Sequence, residues 1–409
     1  MADDRVEEVV EADPFDPMLD TGERQAEELV SDDQDQDFEE RGRELLTRRR
    51  LISLGLAVAL MVVAIYIVFP KVVGVEGAVL DRVGEATWYW VVIAIPFNLL
   101  AFVAYAMLFR GVLGVGGRGD EPGDEVRRRL DMRVSYKITM SGYLATILFS
   151  AAGAGGLALT YWALRKAGMP RGRAACRMVA FLVLLYSVYL ASLVVFGTLL
   201  RVGVLHGDDP VGGTIVPAVV GAVALLILAL VSFIPGDVER RMGRYGTRSG
   251  RLPALAARVA RVPAVVATGV RTALAYIRHP QRSANALVGA VGWWAGNIGV
   301  LWASFHSFGV DVPFGVLVQG FFVGMVANLA PSPAGGVGTV DAGLIGSFVL
   351  FGIPADQVFP AVLLFRAIGF AIPIPLGIWG YIGLRRTVRR WAEEDRSATI
   401  QSKVSAETR

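Results

Sequence analysis

The sequence predicts an all-α polytopic membrane protein built as an inverted repeat, with about six full spans and two broken, re-entrant helical hairpins. Three observations predict it. The chain has 409 residues, 54% of them hydrophobic, and a mean hydropathy of +0.51, too apolar for a soluble protein of this size. Arginine and lysine are concentrated in segments that alternate with long apolar runs, although the net charge is only +3. Two apolar runs are interrupted by glycine and proline, and the residues around the interruptions match in order.

Residues 1–43 are rich in Asp and Glu, so they are expected to form a disordered acidic cytoplasmic tail. Membrane repeat 1 is placed at 44–213. Arg48, Arg49 and Arg50 precede an apolar run, Leu51 to Phe69, that is long enough to span. By the positive-inside rule the N-terminus is cytoplasmic. Trp88 to Leu113 is the second span, returning to a loop with Arg118, Arg127, Arg128, Arg129 and Arg133. Val134 to Lys166 is broken by glycines at Gly153, Gly155 and Gly156 and has basic residues at both ends, which predicts a hairpin open to the cytoplasm. Ala174 to Leu200 then crosses outward.

Membrane repeat 2 is placed at 214–384. Thr214 to Ile234 spans inward. The loop 236–282 is rich in arginine from Arg240 to Arg282. Leu255, Val259, Val262, Val266, Val270 and Leu274 recur at helical spacing, so interfacial helices on an anionic leaflet are expected there. Nucleic acid is not an expected partner, since this basic stretch is tethered between spans and has no reader motif. Ala284 to His306 spans outward. Val312 to Ala330 enters from outside, breaks, and returns as Thr339 to Phe351. Val358 to Leu384 spans inward, and Arg385, Arg386, Arg389 and Arg390 place the polar tail 385–409 in the cytoplasm.

The two halves read alike. Gly153 to Gly156 (GAGG) answers Pro333 to Gly336 (PAGG), Gly168 to Pro170 (GMP) answers Gly352 to Pro354 (GIP), and Val183 to Tyr186 (VLLY) answers Val362 to Phe365 (VLLF). An odd number of crossings per half makes the second copy inverted.

The most informative stretch is Pro331 to Asp341, PSPAGGVGTVD. Two prolines remove backbone donors, and Gly335, Gly336 and Gly338 permit dihedrals that other residues avoid. Thr339 reads as an N-cap with Asp341 in the first turn of a new helix. Irregular backbone survives at membrane depth only when buried in protein or lining a wet cavity. The pattern Pro-x-Pro-x-Gly-Gly-x-Gly, an acid three residues on, the GIP turn and VLLFR (Val362 to Arg366) together resemble the flippase-like membrane domain family, the membrane half of lysylphosphatidylglycerol synthases. The resemblance covers about Leu51 to Leu384. The family usually has glutamate at the position of Asp341. The first half departs from the family in having Leu157 and Thr160 after its glycines.

Arg366 is the sharpest candidate for a binding residue. A guanidinium inside an apolar span is costly and suits bidentate capture of phosphate, or it forms a structural pair with Asp341. Asp341 either pairs with Arg366, caps its helix or meets a cationic headgroup. Gly335, Gly336 and Gly338 offer backbone amides to an anion or allow close helix packing. Asn328, Ser332 and Gln319 are read as polar lining of the same cavity. Trp293, Trp294 and Tyr381 are read as interfacial anchors. No catalytic residue, metal site or cofactor is predicted: the three histidines have no ligand spacing, and the GGVG stretch lacks the lysine and Ser/Thr of a nucleotide-binding loop.

The resemblance implies translocation of a phospholipid or lipid-linked headgroup across the plasma membrane. Transport of a small polar solute, or a non-transporting scaffold that recruits cytoplasmic proteins through the acidic tail, is the alternative. An enzymatic role is not expected, because the segment after Leu384 is too short for the aminoacyltransferase domain of full-length synthases. Homo-oligomerisation is left open.

Overall fold

In the computed structural model, residues 86–114, 126, 128–148, 154–232, 266–279, 283–329, 336 and 338–407 are described. The acidic tail, the first span at 51–69, Ser332, Gly335 and the loop 233–265 lie outside them. The described residues are helical, with no strand among them.

Helix α1, Trp88–Phe109, ends in a π turn at Arg110–Gly114. Helices α2, Met132–Leu148, and α3, Ala154–Lys166, form the first hairpin. Then come α4, Arg171–Arg201, and α5, Ile215–Ser232. Helix α6 is Ala284–Ser307. The second hairpin is α7, Phe314–Met325, with a 3-10 turn at Val326–Leu329, and α8, Thr339–Leu350. The chain closes with α9, Ala355–Ala371, and α10, Pro373–Glu407. Among the described residues, five segments are long and apolar enough to cross a membrane: Trp88–Leu113, Arg171–Arg201, Ile215–Ser232, Ala284–Ser307 and Ala355–Ala398. Helix α8 has 12 residues, a rise of about 18 Å against a hydrocarbon core of about 30 Å, so it cannot cross alone.

Among the described residues, the most extensive helix contact is between α1 and α6. They run antiparallel along a seam of small residues. A Cβ on Gly289 would stand 2.4 Å from the backbone nitrogen of Leu108, and one on Gly296 would stand 2.6 Å from Ala101 Cβ. Small residues there let the backbones approach, which is how helices associate where hydrophobic driving force is absent. Each hairpin is an antiparallel pair with its own close glycine contact. Gly142 meets Gly156 between α2 and α3, and Gly324 meets Gly343 between α7 and α8. Ser347 Oγ donates to Gly320 O at 2.6 Å across the second hairpin. Helix α2 also packs on α10, and α7 on α4.

The turns after the hairpins have the same geometry. Gly168 has φ 95° and Gly352 has φ 82°. In one, Gly168 N–H donates to Arg165 O and Met169 N–H to Leu164 O; in the other, Gly352 N–H donates to Val349 O and Ile353 N–H to Phe348 O. This is the Schellman pattern, which requires a left-handed residue and so selects glycine. Pro170 and Pro354 then cap α4 and α9, at φ −56° and −58°.

Three details differ from expectation. The final span is broken at Ile372, because Pro373 and Pro375 supply no backbone donors; Pro373 stands at the first helical position, where none is required. The expected polar tail is helical to Glu407, since no glycine or proline interrupts Leu384 to Glu407. Trp391 is buried and lies under the Arg129 guanidinium at 5.8 Å, and Arg129 pairs with Asp395. Third, the described part of the basic loop, 266–278, packs on α4. Ala267, Val270 and Ala273 are buried, and Gly269 abuts Val179.

Candidate functional site

The site begins where α7 unwinds. Its last turn tightens to 3-10 geometry at Val326–Leu329, and α8 starts at Thr339. Gly336 and Gly338 have φ of 86° and 89°, conformations that strain any L side chain. The N-cap of α8 is Gly338 rather than Thr339. Asp341 supplies the capping bond: its Oδ2 accepts from Gly338 N–H at 2.8 Å. A carboxylate in the first turn also complements the helix dipole.

Asp341 has a second partner. Arg366 Nε lies 2.8 Å from Asp341 Oδ1, off the direction of a good hydrogen bond, so the contact is primarily ionic. The two side chains are 13% and 17% exposed. Arg366 stands eleven residues after Ala355, about 16 Å along a segment long and apolar enough to cross a membrane. Its guanidinium carbon is 4.7 Å from the Phe370 ring centroid. An unpaired charge within a membrane span would be costly. Through this pair, α9 is electrostatically tied to the start of α8.

Beside the pair is a cavity of about 360 Å³. Both hairpins line it. The first contributes Thr139, Gly142, Tyr143, Thr146 and Thr160, and the second contributes Phe321, Asn328 and Gly336. Helices α1, α4, α6 and α9 complete the wall, with Asn98, Tyr186, Trp293, Trp294 and Arg366 among their residues. The cavity combines one cationic group, neutral hydrogen-bonding side chains and aromatic surface, the composition of a site for a polar group with an apolar appendage.

Of the residues singled out from sequence, Arg366, Gly336 and Asn328 line this cavity, and Asp341 adjoins it through Arg366. The Gly338 amide is committed to Asp341, so it is not offered to an anion in this state. Ser332 and Gly335 fall outside the described residues. Gln319 is elsewhere: fully buried, it donates from Nε2 to Gly213 O at 2.9 Å and joins α7 to the start of α5. The two tryptophans are not rim anchors. Trp294 is 7% exposed and donates from Nε1 to Leu185 O at 2.9 Å, while Trp293 packs against Phe102 and Tyr105. Trp293 lies nine residues into α6, about 14 Å deep, which the span's start alone implies.

Sequence reading missed the polar wall of the first hairpin. Thr139, Gly142 and Thr146 recur at helical spacing on α2, so one small polar stripe was visible. It went unrecognised because neutral polar residues in apolar helices are usually helix–helix contacts.

No curated protein and no solved structure matches the chain. The family model described as the lysylphosphatidylglycerol synthase TM region matches residues 51–377, and the chain belongs to that family.

Proposed function

We propose that the protein translocates phospholipids between the leaflets of the plasma membrane, with both termini cytoplasmic. The observation that carries this reading is the cavity between two helical hairpins with Arg366 in its wall. A guanidinium within a span gives an anionic phosphate a partner where water and headgroups are absent. Acyl chains stay in lipid while the headgroup passes through the polar interior. Family membership supports a lipid-related role.

The inverted-repeat architecture belongs to the same proposal. The antiparallel α1–α6 pair, the matching turns at Gly168 and Gly352, and the paired contacts of α2 with α10 and of α7 with α4 support it. In such folds, one repeat rocks against the other around a fixed midplane site. The Arg366–Asp341 pair joins α9 to the second hairpin, so a phosphate that draws Arg366 away from Asp341 would loosen that hairpin. With no nucleotide motif, the driving force is a gradient, the membrane potential or mass action.

The test is leaflet exchange of a fluorescent anionic phospholipid in proteoliposomes. Wild-type protein is expected to accelerate exchange, and Arg366→Ala to slow it by at least about tenfold, the equivalent of one charge-assisted hydrogen bond. Equal rates for the two proteins would defeat the proposal.

A further inference from the structure

Away from the cavity, the seam between α2 and α10 carries a run of unmatched positive charge. The seam keeps one antiparallel register. A Cβ on Gly377 would meet Leu144 Cβ at 2.7 Å, one on Gly380 would meet Met140 Cβ at 3.1 Å, and one on Gly383 would meet the Lys137 side chain at 3.2 Å. Further along, the Arg129 guanidinium lies over Trp391. That register sets Arg133 opposite Thr387. Leu384, Thr387 and Trp391 recur at helical spacing and are buried, whereas Arg385, Arg386, Arg389 and Arg390 between them are exposed. Arg128 and Arg133, on the facing segment, are exposed as well.

These six guanidinium groups call for counter-charge. Among the described residues none of them has an ionic partner, although Glu393 and Glu394 lie one turn beyond Arg389 and Arg390. Two other acids at the seam are engaged: Asp395 pairs with Arg129, and Asp131 Oδ1 accepts from Val134 N–H at 2.7 Å. Arg385 with Arg389, and Arg386 with Arg390, are like charges one turn apart, an arrangement that destabilises a helix.

The chain carries the missing charge itself. Residues 1–43 hold 17 of its 37 acidic residues and 4 of its 40 basic ones, a net charge of −13, whereas residues 44–409 carry +16. Within the acidic stretch, Asp32 to Glu40 places six carboxylates in nine residues, and Glu40 is eleven residues from Leu51, where the first expected span begins. Carboxylates suit guanidinium groups through charge-assisted hydrogen bonds. Tethering makes the encounter intramolecular, at a high effective concentration. A lipid headgroup brings its charge singly, whereas this segment brings six on one tether.

We propose that the acidic segment Asp32 to Glu40 docks on the arginine face of the α2–α10 seam. This rests on both termini lying on one side of the membrane, and not on translocation. Because α2 also lines the cavity, through Thr139, Gly142, Tyr143 and Thr146, the docked segment braces that wall from outside.

The experiment is photo-crosslinking of the full chain in nanodiscs containing phosphatidylglycerol, with a benzophenone amino acid in place of Phe38, which leaves every acid of the segment intact. Adducts are expected within 128–133 or 385–396, located by mass spectrometry. Raising salt from about 50 mM to about 500 mM should lower their yield at least about fivefold, because exposed ion pairs are screened. The double variant Arg389→Glu with Arg390→Glu should lower it as much, and adding Asp35→Lys with Asp37→Lys should restore it. Failure of that charge swap to restore the adducts, or adducts confined to lipid, to the loop 236–282 or to a second copy of the chain, overturns the proposal. Impermeant labelling of Ser31→Cys and Ser397→Cys in intact cells separates the two readings. Labelling from opposite sides defeats the shared topology and the docking with it, whereas labelling from one side without the expected adducts defeats the docking alone.

Discussion

Arg366 and Asp341 tie α9 to the start of α8 at the wall of the cavity. Asp341 caps α8 and pairs with Arg366 at once, so removing it affects both. Asp341→Asn leaves the guanidinium without its carboxylate, and breaking a mostly buried pair costs about 2–4 kcal/mol. The expected result is a lower thermal midpoint in detergent. Adding Arg366→Gln should recover part of the loss, because the second change removes the stranded charge. Additive losses would show that the two residues act independently. Arg366 was legible in the sequence because a charge in an apolar run is conspicuous. Asn98 and Thr139 were not, because a lone amide or hydroxyl in a span satisfies many structural roles equally well.

At the scale of helices, the assembly depends on glycines that allow backbones to touch. At Gly289 a methyl group would meet the nitrogen of Leu108 at 2.4 Å and the oxygen of Ala104 at 2.5 Å. Neither is a flexible side-chain tip, so α1 and α6 must separate. Gly289→Ala is expected to lower the thermal midpoint measurably, a loss of about 1–3 kcal/mol for overpacking. Gly346→Ala on α8 is the control: nothing lies within 4 Å of a Cβ there, and replacing a helical glycine with alanine should be neutral or stabilising by up to about 1 kcal/mol. Equal effects at both positions would mean that the α1–α6 seam is not closely packed. Span positions were legible from hydropathy alone: Trp88 to Leu113 was expected and is found. The break at Ile372 was visible as Pro373 and Pro375, but a span-length window averages over it. The helical extension through Trp391 was hidden by its charge, since polar sequence reads as tail until a partner such as Arg129 is seen.

For the molecule as a whole, the proposed topology places the turn before α9 outside and the far end of α10 inside. Ala355 and Ser397 are both exposed. Cys176 is buried, so Cys176→Ala provides a clean background. In intact cells an impermeant thiol reagent should label Ala355→Cys and leave Ser397→Cys untouched until the membrane is opened. The reverse pattern would invert the topology. The proposed duplication rests on three short sequence matches, and the turns at Gly168 and Gly352 share one geometry because glycine followed two residues later by proline imposes it. The cavity was not legible, because it depends on helices far apart in sequence, from α1 to α9, converging. The most direct measurement is an experimental structure of the protein in nanodiscs rich in phosphatidylglycerol. The account predicts a headgroup between the hairpins, with its phosphate within hydrogen-bond reach of the Arg366 guanidinium. Lipid confined to the outer belt, with Arg366 still paired to Asp341 and the cavity holding no headgroup, would contradict it.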